Sequence, residues 1–363
     1  MRTLANKPDI GQVYKSDFDN VYPYSKMKRC LINKTTGEVG TILSDENSNK
    51  SLSGSPVNLS DNNFDVMVQI PAFYYKVEFT SNSTNYSILQ DVPDSRYKGD
   101  HEVHPAFIRP DGSIRPYVLV GAFKGSVIGS QLRSLKGQNP QVSQTISWFR
   151  ERARQGRNQQ FNINTVQIIS AIQMLYVVEF SNLNSQAMIG SGWTNKSAAA
   201  TTGSTLELGN RSGYLGVNGN QISYRGIEDF WGNIWEFVDG LIIKDDGFYI
   251  TNNPAYFGSA LNSVKIAVTP ITNTDDTKNG YVKSIFRERA IDYCFFPSDT
   301  VGGSESTYFC DYHWAHDKGE ENIAIFGALW GNGAQAGAFA WDWADVASNA
   351  RTNNGARLIL NRF

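Results

Sequence analysis

Apolar and polar positions divide the chain into a polar N-terminal part and a longer region with core-forming segments. Residues 1–60 are polar and rich in turn-forming residues, which is typical of loops. Apolar and β-branched residues dominate 66–79, which predicts the first strand. Two further strands are predicted at 104–108 and 116–125, because the Asp111–Gly112 pair between them is typical of a hairpin turn.

Two segments have helical periodicity. Residues 145–155 end in several arginines, which favour the negative end of a helix dipole. Residues 165–182 place apolar side chains on one stripe, with Asn164 as the expected N-cap, which predicts a core helix. Near its end Glu179 stands among apolar neighbours, and we expect this carboxylate to be hydrogen-bonded and structural.

The remainder is dominated by loops, with short strands predicted at 248–252, 264–268 and 357–360. Two helices on an irregular, mostly antiparallel sheet with long loops predict an α+β fold. We expect an N-terminal attachment or oligomerisation segment at 1–60 and one folded domain at 61–363. Loops this long in a compact domain usually carry function.

The segment 324–357 has an unusual composition. Glycine and alanine recur along it, and tryptophan, asparagine, aspartate, glutamine and arginine stand between them without a helical or strand period. Its ionisable side chains are few: Asp342, Asp345, Arg351 and Arg357. Rigid aromatics and short polar groups on a loop-rich frame are typical of contact surfaces, so the segment predicts a recognition surface rather than a catalytic site.

Composition narrows the function classes further. With 40% hydrophobic residues, 19% charged residues and a net charge of −2, the chain has neither a disordered composition nor the basic character of a nucleic-acid partner. The cysteines are Cys30, Cys294 and Cys310, an odd number that indicates no disulfide framework and fits a reducing cytosol. No apolar run approaches the ~18 residues that membrane insertion requires, and the N-terminus does not read as a signal peptide.

Two motifs resemble the C-type lectin fold, in the branch of the formylglycine-generating enzyme. The first is Gly232-Asn233-Ile234-Trp235-Glu236-Phe237, and the second is the closing GARLIL of residues 355–360. Gly232 suits a tight turn, the aromatic residues can anchor a loop-rich core, and Asn233, Glu236 and Asp239 can tie loop backbone or hold a cation. The resemblance implies a C-type lectin fold for 61–363.

The closer resemblance is to variable proteins of diversity-generating retroelements and to phage tail-tip receptor-binding proteins. It rests on a register of small, aromatic and basic residues: Gly327, Ala328, Trp330, Gly333, Ala336, Gly337, Phe339, Ser348, Gly355, Ala356 and Arg357. Ala328 departs from the pattern, since the family has glycine there. Trp330, Gly333, Gly337, Gly355 and Arg357 are thereby implied to be scaffold.

The same register implies which positions vary and contact ligand: Leu329, Gly331, Asn332, Gln335, Asp342, Ala344, Asp345, Asn349, Arg351 and Asn353. Trp341 and Trp343 flank these positions and complete the expected ligand-binding set. In an extended strand the two indoles lie on the same side. We expect at least one of them to be exposed as an aromatic anchor.

The resemblance implies a non-enzymatic receptor-binding protein with no cofactor, made in the host cytoplasm and located at the tail tip of a virion. Its implied partners are a host cell-surface receptor, protein or glycan, and phage tail structural proteins, with a homotrimer as the expected assembly. A lectin-like adhesin displayed on a bacterial surface remains an alternative.

Three chemical alternatives stay open. A formylglycine-generating oxidase needs a copper-binding cysteine pair, but the position five residues after Cys310 is Ala315. Cys310, Asp311, His313 and His316 could suit zinc, yet the surrounding segment is expected to be a polar surface loop with hydrogen-bonded histidines. A calcium site near Asn233, Glu236, Asp245 and Asp246 is also possible, although Asp245 and Asp246 first indicate a turn.

Overall fold

Sheet dominates this protein and helices are few, in agreement with the predicted α+β class. The computed structural model describes residues 3–7, 11–15, 17–157, 160–273 and 279–361. In these ranges the α-helices are Ile146–Arg154, Val166–Phe180 and Ser185–Ile189. No helix of the described ranges has the length and apolar character needed to cross a membrane.

Both predicted helices are present. The first begins after Thr145, whose side chain accepts a hydrogen bond from the Trp148 N–H. The second begins after Thr165, whose side chain accepts from the Ile168 N–H, so Thr165 is the cap and the prediction of Asn164 was wrong by one residue. Almost all side chains of Val166–Phe180 are buried, as expected for a core helix.

Glu179 is held at the end of this helix by buried partners. Arg225 donates to both of its carboxylate oxygens, at 2.8 Å and 2.7 Å, and the Tyr224 hydroxyl lies 3.2 Å away. This confirms that Glu179 is hydrogen-bonded. Because Tyr224 ends the strand Ile222–Tyr224 and Arg225 follows it, the carboxylate joins the helix to that strand.

A six-stranded sheet draws its strands from both ends of the chain. In spatial order they are Phe161–Ile163, Leu358–Leu360, Tyr117–Gly121, Phe64–Pro71, Lys28–Asn33 and Val39–Ile42. Lys28–Asn33 pairs along its whole length with Phe64–Pro71. The boundary expected after residue 60 therefore falls inside one sheet, since the apolar residues of Lys28–Asn33 are buried in the common core.

The apolar run at 66–79 forms two strands rather than one. Phe64–Pro71 belongs to the six-stranded sheet, while Tyr74–Phe79 belongs to a four-stranded sheet with Thr84–Ile88, His101–Val103 and Tyr97–Lys98. The chain changes sheets at Ala72 and Phe73, which are buried like the strands on either side. Burial on both sides of the break keeps the sequence apolar throughout and hides the boundary.

The predicted hairpin at 104–125 is only partly present. Gly112 has a φ of +85°, as the turn requires, and Ile108 bridges to Ile114. Pro105–Phe107 is a short 3₁₀ helix instead of a strand, capped by the side chain of His104. Tyr117–Gly121 pairs instead with Phe64–Pro71 and Leu358–Leu360.

An eight-stranded sheet carries the terminal segment, residues 324–357. Its strands in spatial order are Val264–Ile266, Gly247–Ile250, Trp235–Lys244, Asn322–Phe326, Trp341–Val346, Tyr312–Trp314 and Gly280–Tyr281, with Asn354–Gly355 lying parallel to the start of Trp235–Lys244. Asn322–Phe326 is buried throughout and lies beside Trp341–Val346.

Smaller sheets complete the architecture. One has five strands: Thr3–Lys7, Gly11–Lys15, Ser212–Tyr214, Ile222–Tyr224 and Ile227–Glu228. Three two-stranded sheets pair Ser126–Ile128 with Gln131–Arg133, Thr272–Asn273 with His316–Asp317, and Ser284–Ile285 with Pro297–Asp299. A continuous hydrophobic cluster runs from Tyr24 to Leu360.

Candidate functional site

The strand Trp341–Val346 alternates strictly between buried and half-buried side chains. Trp341, Trp343 and Asp345 point into the protein, while Asp342 and Ala344 point outward. Alternation is expected for a strand with one face on a core. The strand therefore separates two sets of residues that the sequence analysis had placed together as contacts.

Both indoles are fully buried, which contradicts the expectation that at least one of them is exposed. The ring of Trp343 lies 4.3 Å from that of His313 and 5.2 Å from that of Phe248, and Trp341 lies 4.9 Å from Phe326. Aromatic packing of this kind supplies a large part of a core's stability. The tryptophans hold the strand in place and do not face a partner.

Asp345 is also buried and organises the loop that follows the strand. Its carboxylate accepts hydrogen bonds from Asn349 at 2.8 Å, from Arg351 at 2.7 Å and from Asn354. The backbone carbonyl of Asp345 accepts from the buried Asn322 side chain at 3.2 Å. These bonds position the loop 349–354, so Asp345 acts as a support rather than as the contact predicted for it.

Asp342 is the ionisable group on the outward side of this strand. Burial raises its pKa to about 7, and Asp345 adds to the rise, while the Ala344 N–H and the charge of Arg351 oppose it. Arg351 bonds Asp345, and the charges of both side chains act on Asp342. Near neutral pH this carboxyl group can therefore both donate and accept a hydrogen bond.

The loop 329–335 is held by its own side chains and by the neighbouring segment 194–196. Asn332 accepts from the Leu329 N–H at 2.9 Å and donates to Gln335 at 3.2 Å. The Trp330 carbonyl accepts from the Lys196 N–H, and the Gly333 N–H donates to the Thr194 carbonyl. Gly331 is exposed, and Leu329, Asn332 and Gln335 are half-buried, so these four predicted residues remain accessible on an ordered loop.

The GNIWEF motif lies between the two parts of the predicted site. The Asn233 carbonyl accepts from the Trp330 N–H, and the Trp235 N–H donates to the Asn353 carbonyl, each at 3.0 Å. Gly232 has a φ of +79°, which confirms the expected tight turn. Residues 233–235 thus join the loop 329–335 to the loop 349–354. We call the accessible predicted residues of these two loops, together with Asp342 and Ala344 of the strand between them, the recognition face.

The members of the recognition face are Leu329, Gly331, Asn332, Gln335, Asp342, Ala344, Asn349, Arg351 and Asn353.

A row of aromatic rings beside the recognition face was missed by the sequence analysis. Trp314 is the register partner of Asp342 on the neighbouring parallel strand, and its ring lies 4.6 Å from Tyr312, which lies 5.3 Å from Tyr281. All three are half-buried. The segment at 311–317 was expected to be a polar loop, but it contains the strand Tyr312–Trp314. The alternation of Tyr312, His313 and Trp314 is the signal that could have revealed it.

Glu236 lies at the centre of a buried ion cluster behind the face. It bonds Lys124 at 2.8 Å and Arg357 at 2.7 Å, and all three side chains are fully buried. Burial alone would raise the pKa of Glu236, but Arg357 and Lys124 hold it below its usual value. Arg357 also donates to the carbonyl groups of Gly121, Glu228 and Asp229, so it ties the end of the terminal segment to the six-stranded sheet.

Two glycines of the terminal segment offer a test of scaffold against face. A Cβ at Gly355 would lie 2.4 Å from the Gln141 carbonyl oxygen and 2.5 Å from the Ile234 Cδ1, whereas one at Gly331 would meet only the Leu329 Cδ1 at 3.4 Å. We expect Gly355→Ala to lower the free energy of unfolding by about 1–3 kcal/mol, and Gly331→Ala to change it by less than about 0.5 kcal/mol. Urea denaturation of both variants measures this, and equal losses would contradict the assignment.

The residues considered for zinc are not brought together. His313 donates toward the Trp341 carbonyl at 3.1 Å, while His316 lies between Asn322 at 2.6 Å and Asp245 at 3.0 Å. Burial lowers the pKa of His313 to about 3, so this imidazole is neutral. Within the described ranges no group of three metal-ligating side chains occurs. The expectation of hydrogen-bonded histidines is confirmed for both.

The thiols are not prepared for oxidation chemistry. Cys30, Cys294 and Cys310 form no disulfide, and all three are buried. Burial raises the pKa of Cys310 to about 11 and that of Cys294 well above its usual value. Because the thiolate is the reactive and copper-binding form, these cysteines are poorly suited to the oxidase alternative.

The residues considered for calcium have protein partners of their own. Asn233 bonds Asp229 and the Ala200 backbone, and Glu236 bonds its two cations. Asp245 bonds His316 and the Gly319 N–H, while Asp246 pairs with Lys265. These groups stabilise separate turns and do not converge on one point. Asp239 likewise binds Arg150, with its nearest contacts at 2.5 Å and 2.8 Å.

The comparisons with known proteins give structural neighbours only. No family model matches this chain, and no curated protein does. Among solved structures, the U1 variant of the Major Tropism Determinant is 11% identical with a TM-score of 0.30, over 92% of this chain and 72% of that one.

A second neighbour is the M1 variant of the Major Tropism Determinant. It is 10% identical with a TM-score of 0.32, and the match covers 99% of this chain and 83% of that chain. Both of these neighbours are variants of the Major Tropism Determinant. At this identity and TM-score they assign no role to any residue, so the site rests on the contacts of this chain.

Proposed function

We propose that this chain is a non-enzymatic receptor-binding protein whose recognition face contacts a host cell-surface molecule. The division of the strand Trp341–Val346 carries the proposal. Its inward half is fixed by aromatic packing, and its outward half presents the small and polar side chains of Ala344 and Asp342. Such a strand can change its outward residues without losing the core that positions them.

We infer the contact residues from accessibility rather than from sequence register alone. The nine residues of the recognition face are the proposed contacts, while Trp341, Trp343 and Asp345 support them from inside. Tyr312 and Trp314 supply the aromatic anchors that the sequence analysis had sought in the buried indoles. Aromatic side chains next to a polar rim are typical of residues that dominate binding energy.

We further propose the setting in which this surface works. The domain, which includes the strand Lys28–Asn33 as well as 61–363, has a C-type lectin fold of the formylglycine-generating-enzyme branch, with 324–357 as its diversified segment. The N-terminal segment attaches the chain to phage tail structural proteins. The protein acts as a homotrimer at the tail tip of a virion, where several copies add avidity to a modest single-site affinity. The resemblance of the two motifs supports this setting, and display as a bacterial adhesin remains the alternative.

Binding to whole cells tests the proposed function. Fluorescently labelled protein is added to a panel of Gram-negative and Gram-positive bacteria, and the bound fluorescence is measured by flow cytometry over a concentration series. We expect saturable binding to a subset of strains, and heat-unfolded protein should not reproduce it. Binding that never saturates, or that is equal on all strains, would contradict recognition of a specific surface molecule.

A further inference from the structure

A polar cleft lies next to the terminal segment, outside the recognition face. It consists of two adjoining hollows of about 740 and 420 Å³, which share Asn184, Glu305, Ser306 and Cys310 in their walls. The smaller hollow reaches Ala334. Volumes of about 300–1,000 Å³ are typical of clefts that hold small ligands.

Neutral hydrogen-bonding groups dominate the walls of this cleft. Amides and hydroxyls come from two chain segments, 181–184 and 306–308, and from Gln186, Ser191 and Asn218. In the larger hollow one carboxylate, Glu305, stands against one ammonium group, Lys283. The smaller hollow adds the buried carboxyl group of Asp311, and burial raises the pKa of Asp311 well above its usual value. The cleft therefore carries little net charge to attract a strongly charged ligand. Polar and apolar surface contribute about equally to the walls, which disfavours a purely hydrophobic peptide.

The amides of the cleft are oriented by the backbone. The side-chain oxygen of Asn182 accepts from the Asn184 N–H at 2.8 Å, and that of Asn184 accepts from the Ala187 N–H at 2.9 Å. Their NH₂ groups have no acceptor in the part of the chain that the structure describes. Each amide therefore presents a donor of fixed direction, and such preorganisation lowers the entropy cost of binding.

An exposed aromatic ring lies at the same cleft. Tyr308 is 81% exposed, the highest value among the large hydrophobic side chains that are accessible in the described ranges. An aromatic face combined with amide donors and a carboxylate acceptor matches a ligand with one apolar face and many hydroxyl groups. A pyranose ring has these two features.

We propose that this cleft binds an uncharged oligosaccharide. Tyr308 stacks on the apolar face of one sugar ring, the NH₂ groups of Asn182 and Asn184 donate to ring hydroxyls, and Glu305 accepts from them. The site is separate from the recognition face, although Ala334 connects the two. It adds carbohydrate binding to whatever the face itself recognises.

Titration with defined sugars tests the proposal. The probes are uncharged hexasaccharides of glucose, mannose, galactose and N-acetylglucosamine, with a sulfated hexasaccharide as the charged comparison. Binding is measured by saturation-transfer NMR and calorimetry on the full chain. We expect at least one uncharged probe to bind, and Tyr308→Ala and Glu305→Gln each to weaken it tenfold or more. The matched control Tyr97→Ala, at another exposed tyrosine, should bind as the parent does.

Three outcomes would overturn the proposal: no uncharged probe binds, only the sulfated probe binds, or Tyr308→Ala binds as well as the parent protein. Because the side chain of Tyr308 is exposed at the surface, its variant is expected to fold, and its thermal melt checks this. Failure here is distinct from failure of receptor recognition, because the cleft variants leave every residue of the recognition face unchanged. Cell binding of those same variants then reports on the face alone.

Discussion

Replacing Glu236 by glutamine is expected to lower the free energy of unfolding by about 3–5 kcal/mol. The substitution keeps the size of the side chain but removes the negative charge that faces Lys124 and Arg357, which are both fully buried. Two cations would then remain near each other in the interior without the carboxylate that bonds both of them. Urea denaturation at pH 7, analysed for the parent and the variant, measures the loss.

The matched control is Glu321→Gln. Glu321 pairs with Lys244 at 3.5 Å, and both side chains are 40% or more exposed. An exposed pair of this kind contributes about 0–1 kcal/mol, so the control should unfold nearly as the parent does. If Glu236→Gln lowers the free energy of unfolding no more than Glu321→Gln does, the charge of Glu236 does not stabilise the fold through the buried cluster.

This cluster explains how the terminal segment can be both variable and well positioned. Glu236 is the second residue of the strand that borders Asn354–Gly355, and Arg357 joins that strand to Gly121 in the six-stranded sheet. The end of the segment is therefore fixed by charge pairs behind the surface. Side chains that point outward from the segment take no part in these charge pairs, which leaves them free to serve recognition.

Local signals allowed the helices to be predicted, and pairing at long range could not be. The arginines near the end of 145–155 and the apolar stripe of 165–182 are local patterns that are visible in a sequence. The N-cap of the second helix, however, is Thr165 and not the predicted Asn164. The pairing of Lys28–Asn33 with Phe64–Pro71, and of Leu358–Leu360 with Tyr117–Gly121, depends on the whole fold. The change of sheet at Ala72 and Phe73 was hidden because both sides of it are buried.

The candidate site shows the same limit at the level of single residues. The alternation of Trp341, Asp342 and Trp343 predicts two indoles on one side of a strand, but not which side meets the core. The structure decides this through Phe248, Phe296 and His313, which come from other segments and surround the rings. Asp345 likewise becomes a support because three later side chains turn back to it.

Substitution of outward residues is expected to weaken receptor binding strongly without unfolding the protein. Ala344→Arg and Gly331→Arg place a long cation on each part of the recognition face, and neither original residue has a side-chain hydrogen bond to lose. We expect each to weaken saturable cell binding tenfold or more, which corresponds to about 1.4 kcal/mol. The free energy of unfolding should change by about 0.5 kcal/mol or less, as for other surface changes.

Leu52→Arg is the control, since Leu52 is 64% exposed and lies outside the terminal segment. It should bind cells as the parent does, so a general effect of added positive charge would appear in all three variants. Cell binding and the free energy of unfolding must both be measured, because a variant that loses binding together with stability shows only that it has unfolded. If Ala344→Arg and Gly331→Arg stay folded and bind as well as Leu52→Arg, the contact surface lies elsewhere on the molecule. The division between a fixed inner face and a recognising outer face would then be wrong.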